Sequence, residues 1–231
     1  MTQVGGPVGL FYGYKTQGVF STSEDAAFAG LRDGRADGDV FRGGDMHFAD
    51  LVADGVIDEK DKTVIGDPNP DIFGNFGTSL HYKNWTLNAF FSYSLGNDIY
   101  NYQRAVLEGG STYYNQTTAV LNRWTSEGQV TEIPRAELGD PMGNSRFSDR
   151  WIEDGSYLKL KTLSLSYRIP FNYTFLQGIT VWAAANNVFT CTKYLGSDPE
   201  LSISSSAVGQ GIDRGLLGRG RSFVLGVKIN L

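Results

Sequence analysis

The chain has 231 residues, 29 of them glycine, with 13% aromatic and 41% hydrophobic side chains and a net charge of −5. The acidic balance excludes a nucleic-acid surface, which needs clustered Lys and Arg. Glycine well above the usual ~7%, with abundant Tyr, Phe, Asn and Ser, excludes a helical bundle and favours many strands joined by turns.

Six stretches carry strand character: 8–20, 72–82, 85–98, 156–169, 178–191 and 220–231. Between the first two, segment 23–30 reads as a short capped helix ending at Gly30. The clearest strand is 85–95, where Trp85, Leu87, Ala89, Phe91, Tyr93 and Leu95 alternate with Thr86, Asn88, Phe90, Ser92 and Ser94. Such period-two alternation gives one apolar and one polar face. Residues 99–125 are less regular, with 105–107 and 119–124 as short helical turns. In 156–169, Lys159 and Lys161 share a face with Leu163, Leu165, Tyr167 and Ile169, an arrangement that snorkelling into headgroups would allow. In 178–191, Asn187 falls in phase with Ile179, Val181, Ala183 and Ala185, and a bulge near Asn186 and Asn187 would resolve it. The last strand sets Phe223, Leu225, Val227, Ile229 and Leu231 against Val224, Gly226, Lys228 and Asn230, the first set being membrane-facing.

The connections separate a membrane barrel from a soluble sandwich. They run 51, 2, 57, 8 and 28 residues (21–71, 83–84, 99–155, 170–177, 192–219), so long and short alternate. Outer-membrane barrels alternate this way, with short periplasmic turns and long outer loops, whereas compact soluble domains seldom hold loops so long. The turn at Lys83 and Asn84 and the turn 170–177 are therefore periplasmic, with Phe171, Tyr173, Phe175, Tyr82 and Trp85 as interface aromatics. The fold class expected is all-β, a transmembrane antiparallel barrel segment with short helices in its outer loops. Six strands fall short of the ~8 of the smallest closed barrels. No basic and apolar leader opens the chain, and no apolar run reaches the ~18 residues of a membrane helix. A piece of a longer protein, not functional alone, is expected.

Few constellations carry chemistry. Asp50, Asp54, the Val56 carbonyl and Asp61 fall at positions 1, 5, 7 and 12 of a calcium loop with Gly55 at its sharp turn, but Val52 replaces a ligand at position 3. Calcium is the single cofactor candidate; the competing account is a polar turn held by Asp–backbone hydrogen bonds. Asp149, Glu153 and Asp154 can be drawn as a glycosidase carboxylate pair, against a solvated strand mouth with Arg150 as ion-pair partner. His47, His81 and Cys191 stand without metal or nucleophile partners, and no nucleotide or hydrolase motif is present. No enzyme is expected. Tyr113, Tyr114, Trp124 and Trp151 can stack on sugars or pack the loops together. Arg214, Arg219 and Arg221 are expected at the outer rim, facing lipopolysaccharide phosphates.

Several stretches, in order, resemble the C-terminal region of the SusC/RagA family of TonB-dependent outer-membrane transporters. They are Gly13-Tyr-Lys-Thr-Gln-Gly-Val-Phe20, Asp54-Gly-Val-Ile-Asp58, Thr63-Val-Ile-Gly-Asp-Pro-Asn-Pro-Asp71, Leu121-Asn-Arg-Trp-Thr125 and Ile133-Pro-Arg-Ala136. Ser148-Asp-Arg-Trp-Ile-Glu-Asp-Gly-Ser-Tyr-Leu158, Asn187-Val-Phe-Thr190, Lys193-Tyr194, Asp198-Pro-Glu200 and the Gly226 strand complete the set. The resemblance implies a plugged barrel of roughly 22 strands in the cell outer membrane. It implies glycan or oligopeptide uptake beneath a SusD-like lipoprotein, with TonB acting through a plug that this chain lacks. Two features depart from the family pattern: Leu231 ends the chain where an aromatic is usual, and Gly220 stands where proline usually precedes Arg221. The alternative is a soluble all-β carbohydrate-binding module.

Overall fold

The computed structural model describes residues 5–35, 39–170, 178–204 and 206–230. The chain divides into two compact units: residues 1–69, 98–153 and 202–215 in one, and residues 70–97, 154–201 and 216–231 in the other.

The second unit is a single antiparallel sheet. Its strands are β1 (Ile72–Tyr82), β2 (Trp85–Leu95), β3 (Tyr157–Ile169), β4 (Gly178–Thr192) and β5 (Ser222–Asn230). They lie side by side in sequence order. β1 and β2 are joined by Lys83 and Asn84, with Lys83 at φ 53°, as a two-residue hairpin turn requires. The expected turn 170–177 has residues 171–177, with Phe171, Tyr173 and Phe175, outside the described residues, as is Leu231.

Directly opposed residues share a face, so the register shows how the sheet sorts its side chains. Phe76 opposes Phe91, Leu80 opposes Leu87 and Tyr82 opposes Trp85. Leu165 continues the Leu87 row and Tyr167 the Trp85 row, followed by Ala183 and Val181 and then by Leu225 and Val227. One face is apolar across all five strands. Phe76 stacks on Phe91 at 4.8 Å between centroids, and Trp85 meets Tyr167 at 4.6 Å. The opposite face is laced with side-chain hydrogen bonds: Asn88 to Ser164 (3.3 Å), Thr162 to Asn186 (3.2 Å) and Asn186 to Ser222 (3.1 Å). There Trp182 opposes Gly226 and covers it, so a Cβ at that glycine would collide with the indole.

Two bulges reset the phase of the half of the sheet farther from the Lys83–Asn84 turn. Leu160 opposes Phe91 while Thr162 opposes Phe90, so Lys161 is one residue more than β2 supplies. Leu160 opposes Phe189 while Thr162 opposes Asn186, so β4 holds one residue more again. Asn187 sits in the left-handed region at φ 53°, a conformation Asn tolerates better than other side chains with a Cβ. The expectation that Lys159 and Lys161 share the face of Leu163 is therefore corrected for Lys159. Beyond the bulge Leu158 and Leu160 carry the apolar face, opposite Tyr93 and Phe91, and Lys159 turns to the polar face opposite Ser92. Phe189 and Cys191 oppose Leu160 and Leu158 and stay on the apolar face, because β4 gains two residues relative to β2.

The other unit differs from the expected loops. Phe11–Tyr14 pairs with Lys62–Gly66, Thr16–Val19 with Met46–Phe48, and Arg32–Asp33 in parallel with Val56–Ile57. The stretch 8–20, expected to be a wall strand, is thus two short strands that pair elsewhere than the five-stranded sheet. Its burial explains why: adjacent Gly13 and Tyr14 are both buried, which breaks the alternation a two-faced wall needs. Tyr14, Phe20, Ala26, Leu31, Phe41, Met46, Phe48, Ile57 and Met142 form a closed core. Helix α1 (Ser23–Ala29) supplies Ala26 to it, capped by Thr22, whose side chain accepts from the Asp25 amide at 3.0 Å, and by Gly30 at φ 65°. Helix α2 (Tyr102–Glu108) follows a short strand, Asp98–Asn101, into which the strand expected over 85–98 breaks after Leu95.

Replacing Asn187 with Val should cost about 1–2 kcal/mol, since a β-branched side chain is strained at positive φ. Gly at the same position should be nearly neutral. Urea unfolding midpoints of the protein in detergent micelles would rank the three.

Candidate functional site

The densest polar arrangement lies at the outer end of β3. The Lys159 Nζ donates to both carboxylate oxygens of Asp198 (2.9 and 2.8 Å) and to Glu200 (2.7 Å). Lys161 reaches the same Glu200 at 2.7 Å, and the Tyr157 hydroxyl donates to it at 3.1 Å. The Lys159 side chain is only 2% exposed. A charge so buried persists only when paired and hydrogen-bonded, and here two lysines balance two carboxylates. Sequence dictates the carboxylate geometry: in Asp198-Pro199-Glu200 the Asp198 carboxylate accepts the Glu200 amide at 3.1 Å, closing an Asx turn that aims both acids at β3. Burial pushes the Glu200 carboxyl up, but the hydrogen bonds and charges of Lys159 and Lys161 outweigh it and hold it below the ordinary glutamate range. Ser197 donates to the Leu216 carbonyl at 2.8 Å, so a second stretch of the same unit is tied in. The cluster fixes the chain segments after β4 against the sheet; it holds no nucleophile–base pair.

The expected calcium ligands accept backbone amides of their own loop. Asp50 accepts the amides of Ala53 (2.7 Å) and Gly55 (2.8 Å), and Asp54 accepts that of Val56 (3.0 Å). Asp61 accepts those of Leu51 (2.9 Å) and Asp58 (2.9 Å). These are the bonds of a self-capped turn, and among the described residues no three metal-ligating side chains converge.

The expected carboxylate pair is also dispersed. Asp149 accepts from Thr16 at its amide (3.0 Å) and hydroxyl (2.6 Å), and Glu153 pairs with Arg104 at 3.0 Å. Asp154 accepts the Ser156 amide at 2.9 Å. Arg150, expected to pair with these acids, instead lies over the Trp151 ring at 4.3 Å. Its terminal nitrogens are buried without a hydrogen-bond partner, and burial lowers its pKa to about 10.

The four aromatics separate into two kinds. Trp151 is fully buried and its indole N–H donates to the Arg146 carbonyl at 3.1 Å; Trp124 donates to the Ser21 carbonyl at 3.0 Å. Both pack loops. Tyr113 and Tyr114 are exposed. His47 stacks on Phe20 at 4.3 Å, with burial lowering its pKa, and His81 is held between Ser79 and Thr86. Arg214 lies over Tyr102 at 5.0 Å, while Arg219 and Arg221 are exposed. Phe223, Leu225, Val227 and Ile229 are 81%, 83%, 63% and 56% exposed.

Sequence reasoning missed two features. Asp45, fully buried, accepts from Arg135 (2.8 Å), Asn144 (3.0 Å) and the Arg42 amide (2.8 Å), cross-linking three loops. The charged Arg135 inside the motif Ile133-Pro-Arg-Ala136 was the available signal. The cluster around Lys159 was signalled by a lysine falling in phase with leucines.

No family model matches the chain. The chain is 34% identical to TonB-dependent receptor P3 of Formosa agariphila over 97% of its own length and 22% of that receptor. It is 28% identical to TonB-dependent receptor SusC of Bacteroides thetaiotaomicron, over 79% of this chain and 17% of SusC. The chain thus spans about a fifth of the curated relatives it matches. Among solved structures, the RagAB peptide importer in its open-open state superposes with a TM-score of 0.71 at 22% identity, covering 99% of this chain and 23% of that one. That likeness concerns the fold. The relatives are named as receptors, not as enzymes.

Lys159→Met should destabilise by about 3–5 kcal/mol, because Asp198 and Glu200 would be left buried and unpaired; proteolysis between residues 193 and 201 would report the loosened segment. The Glu200 carboxyl is depressed in the folded state, so its contribution is present above the unfolded pKa of ~4.3. Protection of that segment should fade as pH falls below this value through the folded pKa.

Proposed function

The chain is a homologue of TonB-dependent receptors, SusC among them, and on that premise we propose that its five-stranded sheet is a stretch of the wall of an outer-membrane nutrient importer. The other unit serves as outer loops. The cargo is a glycan or an oligopeptide, taken up with a SusD-like surface lipoprotein and driven by TonB through a plug. RagAB, described as a peptide importer, supports the cargo class by analogy of fold alone.

One observation carries the reading. The apolar face is continuous across five strands and exposed, while the other face mixes hydrogen-bonded hydroxyls and amides with Phe73, Phe90, Trp182 and Val224. Water does not accept so large a contiguous apolar surface, and hydrocarbon does. Strands of 9 to 15 residues reach the ~9–11 residues needed to cross a bilayer at a tilt. Among the described residues β1 and β5 each have one unpaired edge. Hydrocarbon cannot satisfy those amides and carbonyls, so further strands close the wall, and this sheet transports nothing by itself. A soluble carbohydrate-binding module would have to cover the face that carries Phe223 and Leu225.

Leu225→Arg should cost about 2–4 kcal/mol near the membrane midplane and strongly reduce heat-modifiable barrel in outer-membrane fractions. Lys228→Gln, on the polar face, should leave it unchanged. Equal tolerance of both substitutions would remove the membrane-wall reading.

A further inference from the structure

A pocket of about 260 Å³ lies within the unit of residues 1–69, 98–153 and 202–215, lined by Tyr12, Tyr14, Arg35, Glu59, Lys62 and Arg146. We propose that it takes one hexuronate residue of an acidic glycan, the carboxylate at the arginines and the ring against Tyr12. The inference rests on the reading of the chain as part of a nutrient importer and names the chemistry of the cargo.

Strand pairing brings the first of these groups together. Tyr12 and Tyr14 alternate along Phe11–Tyr14, and Lys62 stands opposite Tyr14 in the paired strand, so the three share a face. The Lys62 ammonium and the Arg146 guanidinium lie 5.3 and 5.1 Å from the centroid of the Tyr14 ring, as cations over an aromatic face do. Asp33 ties in Arg35: its carboxylate accepts from Arg35 at 2.6 Å and from Arg146 at 3.1 Å.

The charges do not cancel. Asp33 is buried and shared between two guanidiniums. Both Nη2 groups lie within 2.8 Å of where a Cβ on Gly143 would stand, so the two cations crowd each other. Lys62 donates to both oxygens of Glu59 at 2.7 Å. Three cations thus face two carboxylates, in a chain whose net charge is −5. A further anion would relieve the repulsion between them. Arg35 can receive it. Its side chain is 52% exposed, and its Nη1 makes no hydrogen bond among the described residues. The planar N–H fork of an arginine matches a carboxylate.

Size and lining select the rest of the ligand. The volume is below the ~300–1,000 Å³ of pockets for drug-sized molecules, which suits a single ring. Tyr12 is exposed and offers an aromatic face against which the C–H face of a pyranose can pack. Glu59 is exposed as well and can accept a ring hydroxyl, which a bare inorganic anion lacks. An Asp or Glu side chain of a peptide brings the carboxylate without the ring.

The test uses the whole protein that carries this chain, purified in mild detergent, with trimers of galacturonate and of glucuronate as probes. Their methyl esters keep the rings and remove the charge; triglutamate keeps the charge and removes the rings. Calorimetry should show at least one acid trimer bound about tenfold more tightly than its ester or the peptide, the worth of one charge-assisted bond. Arg35→Gln should bring the acid-to-ester ratio close to one, and Tyr12→Ala should weaken the acid trimer about tenfold. No binding of either acid, equal affinity for acid and ester, tighter binding of triglutamate, or a ratio unchanged in Arg35→Gln would each overturn the proposal. Uptake of the labelled trimer by cells with and without the protein tests the importer reading separately: binding without uptake would sink that reading alone.

Discussion

Everything in the sheet unit follows from one unsatisfied demand: an exposed face of Phe, Leu, Val, Ile and Tyr side chains. A soluble protein answers that demand with a second layer. Here the sheet is a single layer, and its other face carries bonded hydroxyls and amides and Lys228 beside Phe73, Phe90, Trp182 and Val224. On the proposed reading, the apolar solvent of a bilayer is the condition under which both faces are at rest. On the same reading, the edges of β1 and β5 left unpaired among the described residues add a second demand, which more strands would meet.

The two units show opposite solutions to the same burial problem. The sheet presents its apolar residues outward in period two. The other unit gathers Phe20, Phe41, Met46 and Phe48 into a core and cross-links its surface with buried acids such as Asp45 and Asp33, which arginines neutralise. Such pairs tie separate stretches of this unit together.

How much of this was legible in the sequence depended on period. β1, β2 up to Leu95 and the lower halves of β3 and β4 alternate cleanly, so their positions could be read within a few residues. Helix α1 was readable because Thr22 and Gly30 bracket it. The stretch 8–20 misled because strand-forming residues say nothing about which partner a strand will take: Phe11 and Tyr14 entered pairings with 62–66 instead. The acids of 50–61 carry most of a calcium spacing, and Asp50, Asp54 and Asp61 each accept a backbone amide. Long-range ion pairs such as Asp45–Arg135 leave no local periodicity at all.

The bulge at Lys161 divides β3 into two reading frames of side-chain direction. Inward of it, odd-numbered residues meet the apolar side; outward of it, even-numbered ones do. A single-residue insertion or deletion elsewhere in β3 would scramble the wall, whereas loss of Lys161 alone would bring the outer segment into simple register with β2. That loss would keep Leu160 opposite Phe91 and Lys159 opposite Ser92, whereas pairing Lys161 in turn with Phe91, without the bulge, would turn Leu158 and Leu160 to the polar face and Lys159 to the apolar one. One extra residue thus separates a strand that is merely amphipathic from one that can be greasy at its waist and anchored by buried charge at its crown.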